Sequence, residues 1–210
     1  QEGAVGKFNT QSLTEVKDQL LGLFRSQKGT ELDKYLSAME GNTYGAAFKS
    51  WVHHLFGEMG LLVLDADQQE LKKQMIPLFK KEIFENFSNE CIKKTNQKLL
   101  QEKRTPQIYS RKINVFYMRE GKRERFVKDE DGIYKAGEIS FSKDELITQL
   151  NKEPNLFSPN VALRPILQEL LLPNLCYIGG MAELKYWAQL KSVFETCNIP
   201  FPILQLRSNL

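Results

Sequence analysis

Apolar residues recur at the spacing of amphipathic helices over the N-terminal part of the chain. Each helical pattern follows a hydroxyl residue, which can accept hydrogen bonds from the free N–H groups of a first turn. A capping-box pattern from Ser12 to Glu15 predicts the start of one helix, and Thr30 and Thr43 predict the starts of two more. The third pattern has the broadest apolar face, which consists of Tyr44, Phe48, Trp51, Val52, Leu55, Phe56 and Met59. This region is therefore predicted to be helical up to Gly60.

Short apolar runs predict the strands of a parallel sheet. Leu61–Leu64 and Leu175–Ile178 have the pattern of strands that are buried on both faces. Gly179 and Gly180 end the second run, a helical pattern follows, and Ile203–Leu206 predicts the next strand. A strand, a turn, a helix and a strand within about thirty residues form a βαβ unit, whose two strands are parallel. The predicted fold class is α/β with a Rossmann-like parallel sheet core.

The segment between these runs has a different pattern. A long helical stretch, which Pro77 interrupts or restarts, reaches to about Gln101. The β-prone runs that follow, separated by turn signals at Gly121 and Gly132, predict an antiparallel meander. A second capping box, from Ser142 to Glu145, predicts a further helix. We interpret the segment as an inserted α+β connecting segment. The predicted division is 1–66 as part of the Rossmann-like core, 67–157 as the insertion, and 158–210 as the βαβ end of the core.

Composition and charge restrict the class of protein. Hydrophobic residues make up 41% and charged residues 26%, as in ordinary globular proteins. The net charge of +3 is too small to indicate a nucleic-acid partner, although it permits anionic small molecules. Neither a signal peptide nor a membrane-length apolar run is recognisable, so we expect no membrane partner. Cys91, Cys176 and Cys197 lack C-x-x-C spacing, which argues against disulfides and structural zinc and favours the cytoplasm.

The glycine pair after the second apolar run is the first candidate for chemistry. In open parallel sheets, ligands bind beyond the carboxyl ends of the strands, where a helix N-terminus offers N–H donors to an anion. Gly179, Gly180, Asp65 and Arg207 all map to strand ends, and Glu183 lies in the first turn of the following helix. The pair does not form G-x-G-x-x-G. A plain tight connection explains it as well as a ligand site does.

A second candidate lies before the helix that follows Pro165. Asn160, Arg164 and Gln168 place an amide, a guanidinium and a second amide around the start of this helix, where Arg164 can form a bidentate contact with a carboxylate or phosphate. The more ordinary role of such an arginine is to attach the insertion to the core.

His53 and His54 are adjacent on a helix and point about 100° apart, so we expect no metal site from them.

Several segments resemble one known family. The chain is similar to the bacillithiol biosynthesis cysteine-adding enzyme family (BshC) in TYGAAFKSWVHHLFGEMGLLVLDADQQELK, INVFY, SPNVALRPILQELLLPNLCYIGGMAELKYWAQLKSVFE and PFPILQLRSNL. The most specific part is S-P-N-x-x-x-R-P followed by P-N-x-x-Y-I-G-G-x-x-E-x-x-Y-W. Met181 departs from the pattern, because many members of the family have Gly or Pro at this position.

The resemblance implies a Rossmann-like core with insertions similar to those of class I aminoacyl-tRNA synthetases. It also implies that the full-length protein forms a homodimer through a C-terminal coiled coil. We expect this chain to be the central part of such a protein, without the coiled coil and without the family's N-terminal nucleotide-like loop. By this interpretation the isolated fragment is inactive.

The activity that the resemblance implies is the joining of cysteine to glucosaminyl malate, which makes a low-molecular-weight thiol. The two substrates would be linked by an amide between the cysteine carboxyl group and the glucosamine amine. A carboxylate must be activated before an amine attacks it, so the resemblance suggests a cofactor. Its identity is left open, with ATP or another nucleotide as the candidate. In this scheme Gly179, Gly180, Arg164 and Arg207 bind an anion, and Glu183 or Asp65 acts as the base.

Two alternatives from other classes stand beside the ligase. One is a noncatalytic scaffold that binds the metabolites or enzymes of the thiol pathway. The other is a nucleotide-dependent enzyme that transfers an aminoacyl group to a different acceptor. Product formation without the protein would favour the scaffold, and activity with exchanged acceptors would favour the transferase.

Overall fold

The computed structural model describes residues 5–24, 29–119 and 121–208. The chain forms two compact units. The first comprises Gln1–Ala66 with Glu120–Lys122, and the second comprises Asp67–Arg119 with Arg123–Leu210. The described part of the first unit is helical, whereas the second combines helices with two sheets. No helix in the described ranges is long and apolar enough to cross a membrane.

The first unit is built from helices whose starts follow the capping pattern of the sequence. Thr30 and Thr43 act as N-caps, since the hydroxyl of each accepts a hydrogen bond from the backbone N–H three residues later. Gly60 ends the last turn in the left-handed conformation that glycine adopts easily. The elements are a 3₁₀ turn at Val5–Lys7, α1 (Gln11–Leu23), α2 (Glu31–Ser37), α3 (Tyr44–Phe56) and a 3₁₀ turn at Gly57–Met59.

Two predictions for this unit are wrong. The capping box at Ser12 does not form, because α1 already begins at Gln11 and is preceded by Thr10. The run Leu61–Leu64 is not a strand, and its Leu62 is 64 % exposed. A strand requires a hydrogen-bonded neighbour, and none of the described strands pairs with this run. The apolar composition of Leu61–Leu64 was therefore not sufficient to predict a strand.

In the second unit, the predicted helical stretch is divided near Pro77, as the sequence predicted, and a second time at a position that the sequence did not predict. The resulting helices are α4 (Gln69–Lys73), α5 (Ile76–Glu85) and α6 (Phe87–Gln101). Asn86 separates the last two, with a left-handed φ of 53° that a continuous helix cannot contain. Pro77 lies in the first turn of α5, where its missing N–H does no harm, and α6 ends at Gln101 as predicted.

The larger of the two described sheets is antiparallel and has the strand order β4-β3-β2-β1-β5. Its strands are β1 (Val115–Arg119), β2 (Lys122–Lys128), β3 (Tyr134–Ala136), β4 (Ile139–Phe141) and β5 (Phe157–Pro159). The meander was predicted, but the pairing of β5 with β1 was not. β5 lies across the predicted end of the insertion, and the three-part division of the chain stays a prediction. Helix α7 (Lys143–Lys152) begins with the predicted capping box, in which Ser142 and Glu145 bond each other's backbone N–H.

The smaller sheet is the predicted βαβ unit. Its strands β6 (Cys176–Gly179) and β7 (Ile203–Leu206) are parallel, and the connection consists of α9 (Met181–Gln189) and α10 (Lys191–Cys197). Helix α8 (Arg164–Leu171) precedes it. The prediction of a parallel core is therefore confirmed only for one pair of strands. The main described sheet is antiparallel, because β1 to β4 are joined by short turns that a parallel sheet does not permit.

A buried carboxylate joins the helices of the second unit to the start of β1. Glu82 on α5 accepts hydrogen bonds from the backbone N–H groups of Ser88 and Asn114, and from both of their side chains, at 2.8 to 3.2 Å. Burial raises the pKa of Glu82, although these hydrogen bonds oppose the rise. Asn114 in turn accepts a hydrogen bond from the side chain of Asn160 at 2.7 Å. The network therefore holds the start of β1 and the end of β5 together at one end of the antiparallel pair.

Candidate functional site at the end of the parallel strands

The glycine turn lies between β6 and α9, at the carboxyl end of the parallel pair. Gly179 has no room for a side chain, since a Cβ there would lie 2.7 Å from Cε1 of Tyr177 and 3.3 Å from Oε2 of Glu183. A Cβ on Gly180 would meet nothing closer than 3.5 Å. Neither glycine has a positive φ. Close packing against the chain's own side chains therefore explains Gly179, and the turn itself does not require a left-handed residue.

Glu183 occupies the position that the sequence assigned to a bound anion. Its carboxylate accepts a hydrogen bond from the backbone N–H of Gly180 at 2.7 Å and so caps the N-terminus of α9. A carboxylate in a first helical turn is stabilised by the positive end of the helix dipole. An external anion would have to displace this carboxylate in order to bind the Gly180 N–H.

Tyr177 is a member of the site that sequence reasoning missed. Its ring stacks on Trp187 with a centroid distance of 4.0 Å, and its hydroxyl donates to Oε1 of Glu183 at 3.4 Å. Burial, together with the nearby Tyr186 and the charge of Glu183, raises the pKa of Tyr177 to about 12. The hydroxyl therefore remains a hydrogen-bond donor at neutral pH. The signal in the sequence was an aromatic residue two positions before the glycine pair.

Arg207 completes the cluster from the end of β7. Its backbone N–H donates to the carbonyl of Gly179 at 2.9 Å, which extends the ladder between the two strands by one bond. Its Nη2 would lie 3.7 Å from a Cβ on Gly180. Glu183 and Arg207 thus place opposite charges beside the same glycine. The structure brings together Gly179, Gly180, Glu183 and Arg207.

Asn160 has an internal role in the described structure. Its side-chain oxygen accepts from the N–H of Ala162 at 2.9 Å, and its carbonyl accepts from the N–H of Leu163 and of Arg164. With its bond to Asn114, these contacts turn the chain from β5 into α8. None of these contacts joins it to the glycine turn. The predicted role in ligand binding stays untested.

Arg164, Gln168 and Asp65 are the other residues that the sequence assigned to the site. Arg164 is the first residue of α8 and is exposed, and its guanidinium forms no ion pair within the described ranges. Gln168 is half-buried one turn later. Asp65 is an exposed residue of the first unit and lies outside regular secondary structure. Their functional roles stay predictions.

The contact between Glu169 and Asn174 is a second feature that sequence reasoning missed. The buried Glu169 side chain accepts hydrogen bonds from the backbone N–H and the side-chain amide of Asn174, at 2.8 and 2.7 Å. Because Asn174 lies just before β6, the contact ties α8 to the strand that carries the glycine turn. The spacing of five residues gave no signal, since it does not match a helical neighbour.

The βαβ unit and the glycine turn at its carboxyl end place the chain in the class of Rossmann-like α/β domains. The family described as "Bacillithiol biosynthesis BshC, N-terminal Rossmann-like domain" matches residues 1–208. The chain therefore belongs to the BshC family, which confirms the resemblance read from the sequence.

The proteins that this chain resembles are longer than the chain itself. A Flavobacterium johnsoniae protein is 37% identical over 99% of this chain, a Christiangramia forsetii protein 38% over 98%, and a Staphylococcus haemolyticus protein 33% over 81%. Each bears the name "Putative cysteine ligase BshC". The matched regions are 40%, 39% and 32% of those proteins, so the chain spans about two fifths or less of their length.

Proposed function

We propose that this chain is part of a bacillithiol-synthesis ligase, which forms an amide between the carboxyl group of cysteine and the glucosamine amine of glucosaminyl malate. The observation that carries the proposal is the family match over residues 1–208, which includes the whole glycine cluster. The ligase name of the relatives supports the same reaction class. The resemblance also leads us to propose a cytoplasmic homodimer for the full-length protein.

The charges of the cluster suit the two reactants. We assign to Arg207 the binding of an anionic group, either a carboxylate or a phosphate, since a guanidinium forms paired hydrogen bonds with both. Glu183 is assigned to the amine, because its carboxylate can accept a hydrogen bond from the neutral amine and then take the proton that nitrogen loses on attack. The engagement of the Gly180 N–H by Glu183 makes Arg207 the stronger candidate for the anion.

The bond-forming step follows from ordinary acyl chemistry. The amine nitrogen attacks an activated acyl carbon, so that a C–N bond forms and the bond from that carbon to its leaving group breaks. The leaving group takes the electron pair, and the proton lost by nitrogen passes to Glu183. An acyl phosphate or adenylate made with ATP or another nucleotide would meet the need for activation.

The experiment uses full-length protein incubated with cysteine, glucosaminyl malate and each of several nucleoside triphosphates. We expect a product heavier than glucosaminyl malate by one cysteinyl group, detected by mass spectrometry. Absence of this mass under every nucleotide condition would refute the proposal. Product formed with a different amine and not with glucosaminyl malate would favour the transferase, and metabolite binding without turnover would favour the scaffold.

A pair of variants tests the role of Glu183. Glu183→Gln keeps an oxygen that can accept the Gly180 N–H, while it removes the base, so kcat should fall by about 10²-fold or more. Glu195→Gln is the matched control, because Glu195 is an exposed carboxylate on α10. Equal rates in the two variants would remove Glu183 from the proton transfer without affecting the assignment of the overall reaction.

A further inference from the structure

A cavity of about 260 Å³ lies beside β1 and β2 in the second unit. Its charged lining residues are Arg111, Arg123 and Arg125, and no acidic residue lines it. It shares no lining residue with the cluster around Gly179. The amide of Asn160 also lines this cavity. The cavity is thus a separate concentration of positive charge, and neither the sequence analysis nor the proposed ligase reaction uses its arginines.

Two of the three arginines lie over the ring of Phe116. The Cζ of Arg123 lies 4.0 Å from the ring centroid of Phe116, and that of Arg125 lies 5.8 Å from the same ring. Two residues apart on β2, both arginines point to the same face of the sheet. Nη2 of Arg123 also donates to the carbonyl of Pro159 at 2.8 Å. The guanidinium of Arg123 is therefore held in place with part of its donor set still available.

The positive charge has little compensation from the protein. Within the described ranges, none of the three guanidinium groups has a carboxylate within ion-pairing distance. Burial lowers the pKa of the Arg123 guanidinium, and the negative charge of Asp67 opposes that fall. Three cations around one concave space produce a local positive potential, which raises the concentration of anions there.

We propose that this cavity binds the phosphate group of a small phosphate-bearing molecule through Arg111, Arg123 and Arg125. Guanidinium groups match the oxygens of phosphate with paired hydrogen bonds, and several of them can bind different oxygens of one group. Most sites for whole small molecules have volumes of about 300–1,000 Å³. At its smaller size, this cavity encloses a phosphate or pyrophosphate group and leaves the rest of a larger ligand outside.

Titration calorimetry of the full-length protein with pyrophosphate and with inorganic phosphate tests the proposal. We expect saturable binding of pyrophosphate that weakens as salt is raised. Arg111→Gln and Arg125→Gln should each raise Kd about tenfold or more, since each removes a charge-assisted contact. Lys112→Gln is the matched control, because this exposed cation is adjacent to Arg111 and does not line the cavity.

The conservative variants Arg111→Lys and Arg125→Lys keep the charge and lose the guanidinium fork, so their Kd values should lie between those of the wild type and the Gln variants. They also serve if a Gln variant misfolds. The proposal is overturned if pyrophosphate shows no saturable binding at millimolar concentration, or if both Gln variants bind as well as Lys112→Gln. Equal affinity for succinate would likewise overturn it, since the site would then not distinguish phosphate from carboxylate groups. None of these results bears on the ligase proposal.

Discussion

The carboxylate of Glu183 accepts a hydrogen bond from the backbone N–H of Gly180 at 2.7 Å. The N-terminus of α9 is thereby capped by its own first turn, at the place where an external anion was expected. This contact changes the assignment of roles at the turn. The anion is assigned to Arg207 and the amine to Glu183, and the glycines provide the close packing that brings these side chains together.

The two glycines of the turn should differ in their tolerance of alanine. Gly179→Ala places a Cβ 2.7 Å from the Tyr177 ring, so we expect the free energy of unfolding to fall by about 1–3 kcal/mol. Gly180→Ala meets no atom closer than 3.5 Å and should change it by about 0.5 kcal/mol or less. Urea unfolding of both variants measures the difference. Equal losses would contradict the packing explanation.

Glu82 should make stability depend on pH. Because burial raises its pKa above the ordinary 4.5, its contribution is fully present below pH 4.5 and is lost as the pH rises through the raised value. Glu82→Gln removes this titration. The free energy of unfolding of the wild type should therefore fall relative to the variant across that interval, by at most about 1.4 kcal/mol per pH unit.

Urea titrations of both proteins between pH 4 and pH 8 measure this effect. The variant is expected to have a lower stability at every pH, since its new N–H₂ group faces the N–H of Ser88 in place of an acceptor. That constant offset does not affect the test, which depends on the slope. Parallel curves for the two proteins would show that Glu82 does not titrate in this range.

Lys72 and Lys73 are neighbours in α4 with opposite surroundings. The Lys72 ammonium is 1 % exposed, donates to the carbonyl of Phe157 at 2.5 Å and pairs with Asp67 at 3.1 Å. Lys72→Met leaves that carbonyl without this donor and should lower the free energy of unfolding by about 1–3 kcal/mol. Lys73→Met removes only an exposed pair with Glu70, so a change of about 0.5 kcal/mol or less is expected. A thermal or urea series on both variants would contradict the assignment if Lys73→Met were the more damaging change.

A substitution of Asn160 tests whether this residue has a structural role or binds substrate. Asn160→Ala removes the acceptor for the Ala162 N–H and the donor to Asn114, so the stability should fall by about 1–2 kcal/mol. Asn151→Ala, at an exposed position of α7, is the control and should be neutral. Unchanged stability together with a raised KM would instead support the substrate contact that the sequence suggested.

Predictions from local sequence signals agree with the structure where the interaction is itself local. The caps at Thr30, Thr43 and Ser142 join residues three positions apart, and the βαβ unit follows from one strand, one glycine turn and the next helix. The same signals failed at Leu61–Leu64, because an apolar run becomes a strand only beside a partner. They also failed at Asn86, where a left-handed residue divides a helical pattern without a proline or glycine to mark it.

The sequence by itself determined the family, the helix starts after Thr30, Thr43 and Ser142, the meander and the position of the glycine turn, because each depends on neighbouring residues or on a preserved order of motifs. Only the tertiary structure decided that β5 pairs with β1, that Glu183 caps the turn and that three arginines from a loop and β2 surround one cavity. These relationships join residues that are distant in the chain or depend on side-chain direction. A linear pattern does not specify which of its polar groups satisfy one another and which remain available to a ligand.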